Sequence, residues 1–292
     1  MQIEAIFLVL LSAVMHALRN YLNKGALDKH AFVWWYEIFG LIFFSPVFLT
    51  VLLQEGTAIS FSLTFILLSG LIHFIYWIFL CYALEHGELS QVYPIMRSSP
   101  ALVLVFSVIF LEEEISVPGI CGILLVAAGV YTIGMDRLRW RSVFLPFASV
   151  TRDRGIQFAF LTLFSVAAYS LVDKMAVDSM NPVLFAYLYP WISMSLFSVY
   201  LYRTKAHGVL KKEWSAHRLA ILFCGVFSIF GYFFILLAFT MAPVSYVVGL
   251  RQLSIVFAVL MGGHFLKERN RPIRLFSATI IFAGAYLIAI AG

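Results

Sequence analysis

The chain has 292 residues, is 62% hydrophobic and 12% charged, and has a mean hydropathy of +0.95. A soluble domain is about 45–50% apolar and about 25% charged, so a water-soluble enzyme with a polar shell is excluded. The net charge of +5 does not point to nucleic acid, because no stretch joins a long basic run to a polar scaffold.

A bilayer core of about 30 Å takes about 20 apolar residues per helix. Ten such runs follow one another: 3–22, 32–53, 61–84, 92–111, 116–134, 155–172, 182–202, 219–240, 244–266 and 273–291. Barrel strands would alternate over about ten residues, whereas these runs are continuously apolar. The expected fold is an all-α integral membrane protein of ten transmembrane helices. Met1-Gln2-Ile3-Glu4 carries no basic region and no small-residue cleavage site follows it, so a cleavable leader is not expected.

In the first run Ser12, His16 and Asn20 share one helical face with Arg19 and Asn23. That stripe is too polar for lipid, and it either lines a cavity or packs against the sixth run. The second run holds Trp34, Trp35, Tyr36 and Glu37. Glu37 is the best carboxylate for ion coupling, with a pairing or interfacial role as the alternative. His73 in the third run is, with His16, a candidate proton relay, against the blander reading of a structural hydrogen bond. Tyr76 and Trp77 lie mid-helix, where a buried OH or NH needs a partner, so they are cavity candidates. The fourth run carries Arg97 just after Pro94, a residue that kinks or breaks a helix.

Ser165, Tyr169 and Asp173 repeat the first stripe in the sixth run at an offset of 153, and Asp173 with Lys174 reads as a solvated helix end. Tyr187, Tyr189 and Trp191 mark the seventh run as a further aromatic cluster, and Arg251 sits inside the ninth. Cys81, Cys121 and Cys224 lie apart in apolar runs, so buried small hydrophobes are expected rather than a disulfide or zinc site. Glycines in the fifth, eighth and tenth runs suit close helix packing.

Counting Arg274 at the head of the tenth run, sixteen of the twenty Lys and Arg residues fall in or beside the loops after odd-numbered runs, and only Lys174 falls on the opposite side. That bias puts the odd loops in the cytoplasm and both termini outside. Arg97 and Arg251 lie 154 positions apart, in matching segments "VYPIMR" and "YVVGLR". Five runs per half, an odd number, forces the halves into opposite orientations. The expected organisation is a five-helix repeat over 1–135, a basic loop over 136–154 and a second repeat over 155–292, with a substrate site between the halves.

The segments "HALRNYLNK" (16–24), "VYPIMRSSP" (92–100) and "APVSYVVGLRQLS" (242–254), in that order within a duplicated chain, resemble the EamA-like branch of the drug/metabolite transporter superfamily. The resemblance covers nearly the whole chain. It implies a basket of five plus five helices moving small metabolites by alternating access. The chain departs at Arg19, where relatives often carry Trp between the matching His and Asn.

Arg97 and Arg251 offer fixed charge and a planar fork of donors suited to carboxylate or phosphate. They either face the central cavity, or snorkel, or pair with a carboxylate such as Glu37. The expected function is secondary transport of a small anionic or zwitterionic metabolite, of amino acid or phospho-metabolite type. The substrate-binding candidates are Arg97, Arg251, His16, Asn20, Arg19, Tyr76, Trp77 and Tyr169; the coupling-ion candidates are Glu37, His16 and His73. Alternatives are a proton-coupled exporter of cationic drugs, which a positive cavity disfavours, and a lipid-linked phosphate flippase. An intramembrane enzyme lacks any paired nucleophile and base. No catalytic, Walker, dinucleotide or metal signature is present, so no cofactor, metal or ATP drive is expected. The expected setting is a bacterial plasma (inner) membrane, as a monomer or homodimer, with protons as a further partner.

Overall fold

The computed structural model describes residues 1–23, 25–55, 62–133, 150, 152–205, 208–257, 259 and 271–291. Lys24, most of the expected inter-repeat loop at 136–154, and the segment holding Lys267 and Arg269 lie outside the described residues. All regular structure among the described residues is helical: α1 (Ile3–Asn23), α2 (Lys29–Glu55), α3 (Leu63–His86), α4 (Leu89–Arg97), α5 (Ser99–Phe110), α6 (Val117–Thr132), α7 (Arg154–Ser179), α8 (Pro182–Thr204), α9 (Val209–Phe239), α10 (Val244–Arg251) and α11 (Arg271–Ile290). Among the described residues eight spans are long and apolar enough to cross a membrane, with α4 and α5 together forming one of them, Gln91–Phe110. Two shorter apolar helices, Val117–Thr132 and Val244–Phe257, accompany them. The chain is a multi-pass helical membrane protein.

Local chemistry sets several boundaries. Ser116, Asp153 and Asn181 accept N–H bonds from Gly119, Ile156 and Val183, capping α6, α7 and α8, and Pro182 occupies a first-turn position where its missing N–H costs nothing. Two boundaries differ from the hydropathy reading. α7 runs on to Ser179 rather than ending near residue 172, and Asp173 is fully buried instead of solvated. α9 begins at Val209, ahead of the apolar run, with a non-helical residue at His217 (φ −131°, ψ 21°). Its polar first turns are held by Glu213, which is 1% exposed, accepts the Leu27 and Asp28 N–H groups and meets His217 Nδ1 at 2.8 Å.

Tertiary bonds sort the helix ends into two layers. At one end the α1–α2 turn meets α3, α8 and α9, where Lys205 lies 3.0 Å from Asp28 and 3.6 Å from Glu85. Thr132 and Ser277 join the end of α6 to the start of α11. At the other end the Met1 amine donates to the Ala289 carbonyl, Ser116 bonds Tyr246 and the Ala291 carbonyl, and Glu113 accepts from Val244 N–H and Ser245.

α7 is the most enclosed span, 61% buried, against 33% or less for α1, α2, α3 and α11. Outward faces carry Ile3, Leu53 and Val117, each more than 70% exposed, as a lipid-facing wall requires. Cys81 and Cys224 are buried as expected, but Cys121 lies exposed on this wall. α6 and α11 cross at Gly122 and Gly284, where a Cβ on either would lie within 2.7 Å of the other's carbonyl oxygen. Only glycine allows that approach.

Candidate functional site

A cavity of about 730 Å³ lies between the helices, within the ~300–1,000 Å³ of small-molecule sites. All ten substrate-binding and coupling-ion candidates line it: His16, Arg19, Asn20, Glu37, His73, Tyr76, Trp77, Arg97, Tyr169 and Arg251. Its rim includes Asn23, Lys29, Leu84, Ile133 and Arg274, residues at helix ends in the layer of the α1–α2 turn. The cavity therefore reaches toward that end of the bundle.

Both inner arginines sit where a helix stops. α4 ends at Arg97 and the chain turns at Ser98, whose N–H reaches the Ile95 carbonyl before α5 begins. α10 ends at Arg251 and Gln252 turns in the same way, its N–H on the Gly249 carbonyl. Each guanidinium thus emerges at a helix C-terminus, where the backbone dipole favours a cation. Pro94 lies inside α4 instead of at the break, and the Ser98 hydroxyl already occupies its carbonyl at 2.7 Å.

Arg97 Nη1 and Nη2 each lie 3.3 Å from His16 Nε2, and its Cζ lies 5.2 Å from the Tyr93 ring centre. A guanidinium offers only donors, so Nε2 accepts and the imidazole proton sits on Nδ1. Nδ1 is 3.3 Å from the Asn20 side-chain amide, which then meets it oxygen-first. Arg251 lies over Tyr232, with Cζ 5.4 Å from the ring centre, and its buried Nε has no hydrogen-bond partner among the described residues. No described carboxylate comes within ion-pair distance of either arginine. Glu37 is not their partner: Ser228 donates to it at 2.7 Å and accepts from Arg19 Nη1 at 3.0 Å, so a hydroxyl bridges Arg19 and Glu37.

Aromatic rings form much of the remaining wall. His73 stacks on Tyr169 at 4.3 Å and leans on Tyr189 at 4.5 Å, Tyr76 meets Tyr169 edge-on at 5.4 Å, and Trp77 lies 4.9 Å from Tyr76. Ser12 is buried but does not line the cavity, and Gly231 brings α9 against α1 beside it. Sequence reasoning missed Ser69, Ser228 and Tyr232. Their signal is a pair of i, i+4 motifs, Ser69 with His73 and Ser228 with Tyr232, on two different helices. It also missed the interior place of Asp173, which Ser69 and Tyr232 hydrogen-bond. Among the described residues no three His, Cys, Asp or Glu side chains converge as metal ligands would.

The EamA-like transporter family matches residues 3–135 and 153–290. An uncharacterized protein of Methanocaldococcus jannaschii is 29% identical over 137 residues, which is 45% of this chain and 97% of that protein. One crystal structure covers 100% of this chain and 98% of its own with a TM-score of 0.76 and 14% identity, a likeness of fold alone.

Proposed function

Because the chain belongs to the EamA-like transporter family, and is a membrane transporter rather than an enzyme, we propose that it carries a small organic anion or zwitterion held by Arg97 and Arg251. The observation that carries this reading is the charge balance of the cavity. Its described lining holds Arg19, Lys29, Arg97, Arg251 and Arg274 against one carboxylate, Glu37. Glu37 is engaged with Arg19 through Ser228, which leaves the net positive field at Arg97 and Arg251. A fixed guanidinium fork in a low-dielectric cavity is a strong site for carboxylate or phosphate. The same field repels organic cations, which disfavours cationic drugs as cargo. His16 serves here as the acceptor that orients Arg97. Tyr76, Trp77 and Tyr169 supply the amphipathic wall for the rest of the substrate.

Alternating access then operates between two inverted five-helix repeats, 1–135 and 155–292, joined through 136–154. Three features support the duplication. The helix breaks after Arg97 and Arg251 fall 154 positions apart. The packing of α3 on α7 has a counterpart in α9 on α1, and that of α2 on α9 in α8 on α3. The archaeal relative matches along almost its full length to under half of this chain, as a single repeat would. The cavity's reach toward the basic end, together with the lysine and arginine bias, supports a cytoplasm-facing state in a plasma membrane of bacterial type.

A thermal-shift screen of purified protein tests the reading. Acidic and zwitterionic metabolites should stabilise the wild type, and amines of equal size should not. Stabilisation by amines alone would overturn it.

A further inference from the structure

Asp173 is 0% exposed in the last third of the most enclosed span, yet no described lysine or arginine pairs with it. Ser69 Oγ donates to its Oδ1 at 2.6 Å, Tyr232 OH donates to its Oδ2, and His73 Nε2 stands 3.7 Å from Oδ2. A carboxylate charge left in such a place is costly unless something nearby compensates for it. The serine spends its one proton on Asp173, so His73 Nδ1, 3.0 Å from the Ser69 carbonyl, carries the imidazole hydrogen and donates it there. Nε2 is thereby left bare and facing Asp173. His73 lines the cavity, whereas Asp173 lies behind it.

We propose that Asp173 and His73 form a proton-carrying site, with His73 as the passage between the buried carboxyl and cavity water, and that Arg251 couples this site to the substrate. The exchange balances simply. The O–H bond of Asp173 breaks as an N–H bond forms at His73 Nε2, and a cavity water takes the proton from the imidazolium, leaving a carboxylate and a neutral ring. The groups facing the pair are Tyr169 on α7 itself, Ser69 on α3, Tyr189 on α8, Tyr232 on α9 and Arg251 on α10. Lys174, the next residue, turns away to Asp178 and the Phe239 carbonyl. Arg251 is the one fixed charge in that set, and it rests on the ring whose hydroxyl bonds Asp173. With Arg251 uncompensated, its field weakens the hold of Asp173 on its proton without emptying the site at neutral pH. An anion seated on Arg251 cancels that field and favours proton uptake. Proton and anion then bind cooperatively, each raising the other's affinity by the same factor, which is the thermodynamics of symport. The coupling half of this proposal rests on the anion reading above; the proton site does not.

Infrared spectroscopy of the ligand-free full chain tests it. The wild type at neutral pH should give the carbonyl band of a protonated carboxylic acid that moves on carboxyl-¹³C labelling of aspartate. Asp173→Asn should abolish the band and Glu37→Gln should keep it; if Asp173→Asn does not fold, Asp173→Glu should keep an acid band that no longer moves on aspartate labelling. His73→Gln should slow exchange of the band in D₂O by about tenfold or more. Arg251→Ala should make the band persist to a pH higher by about one unit or more. A wild type without an aspartic acid band, a band that survives in Asp173→Asn, or unchanged exchange in His73→Gln would overturn the proton site. An unshifted band in Arg251→Ala would overturn the coupling. No anion enters these spectra, so failure of the acidic compounds to stabilise the protein, with the band intact, would sink the anion reading and the coupling that rests on it, and leave the proton site standing.

Discussion

Replacing Gly284 by alanine probes the crossing of α6 and α11, the contact against which α10 and its arginine are braced. The new Cβ would lie 2.6 Å from the Gly122 carbonyl oxygen, 2.8 Å from Val126 N and 2.9 Å from Val126 Cγ2. An ordinary carbon–oxygen contact is about 3.3–3.6 Å, so the helices must part by roughly 0.7 Å. Backbone lies on both sides, and no flexible side chain can move aside to absorb the overlap. Overpacking of this kind costs about 1–3 kcal/mol. In a chain of this size that amounts to a melting point lower by roughly 2–12 °C. Gly231→Ala is the matched control, because its Cβ would meet Met15 Cβ at an ordinary 3.4 Å. It should be neutral or stabilising, since alanine is the better helix former by about 1 kcal/mol. Unfolding followed by tryptophan fluorescence in detergent reads both variants. Equal melting points for the two would refute the close crossing. The consequence reaches the cavity because a Cβ at Gly249, two residues before Arg251, would lie 2.8 Å from Ile288 of α11.

Asp28 sits outside the spans, and burial works against its charge, but the Ala31 N–H and the Lys205 ammonium outweigh this and hold its carboxyl below the ordinary range. The stability this gives is present above the ordinary aspartate range and lost as pH falls through the depressed folded value. Asp28→Asn should therefore cost about 1 kcal/mol or less at neutral pH and nothing in strong acid; a cost independent of pH in thermal melts would contradict it. For orientation, in a background with Cys81, Cys121 and Cys224 replaced by serine, Lys211→Cys should resist impermeant thiol reagents applied outside intact cells and Ala291→Cys should react. The reverse pattern would invert the assigned sides.

Much of the cavity was legible because charge and polarity inside an apolar run must be accounted for. Arg97, Arg251 and the His16–Asn20 stripe stand out against a helix that otherwise reads as lipid-soluble, and all of them line the cavity. Hydropathy failed where a polar residue served the interior. Asp173 looked like the end of a span because averaged polarity cannot separate a carboxylate met by water from one met by Ser69 and Tyr232. The first turns of α9 were missed for a similar reason, since Glu213 is buried by bonds to a turn some 185 residues away in sequence. Glu37 was legible as an ionisable residue but not as a partner of Arg19, because the bridging Ser228 comes from a distant helix. The break after Arg97 was expected from Pro94, whereas the backbone turns at Ser98, matching Gln252, which no proline precedes closely.

The central claim is that Arg97 and Arg251 hold an anion. Its most direct test is the equilibrium affinity of the acidic compound that most stabilises the wild type, measured on Arg97→Ala, Arg251→Ala and the two lysine variants. Each guanidinium supplies up to two charge-assisted bonds of about 1.5–3 kcal/mol, so loss of a true contact should weaken binding by about tenfold or more. Lysine should recover only part of that loss, because it keeps the charge without the fork. Wild-type affinity in both alanine variants, with folding intact, would contradict the account.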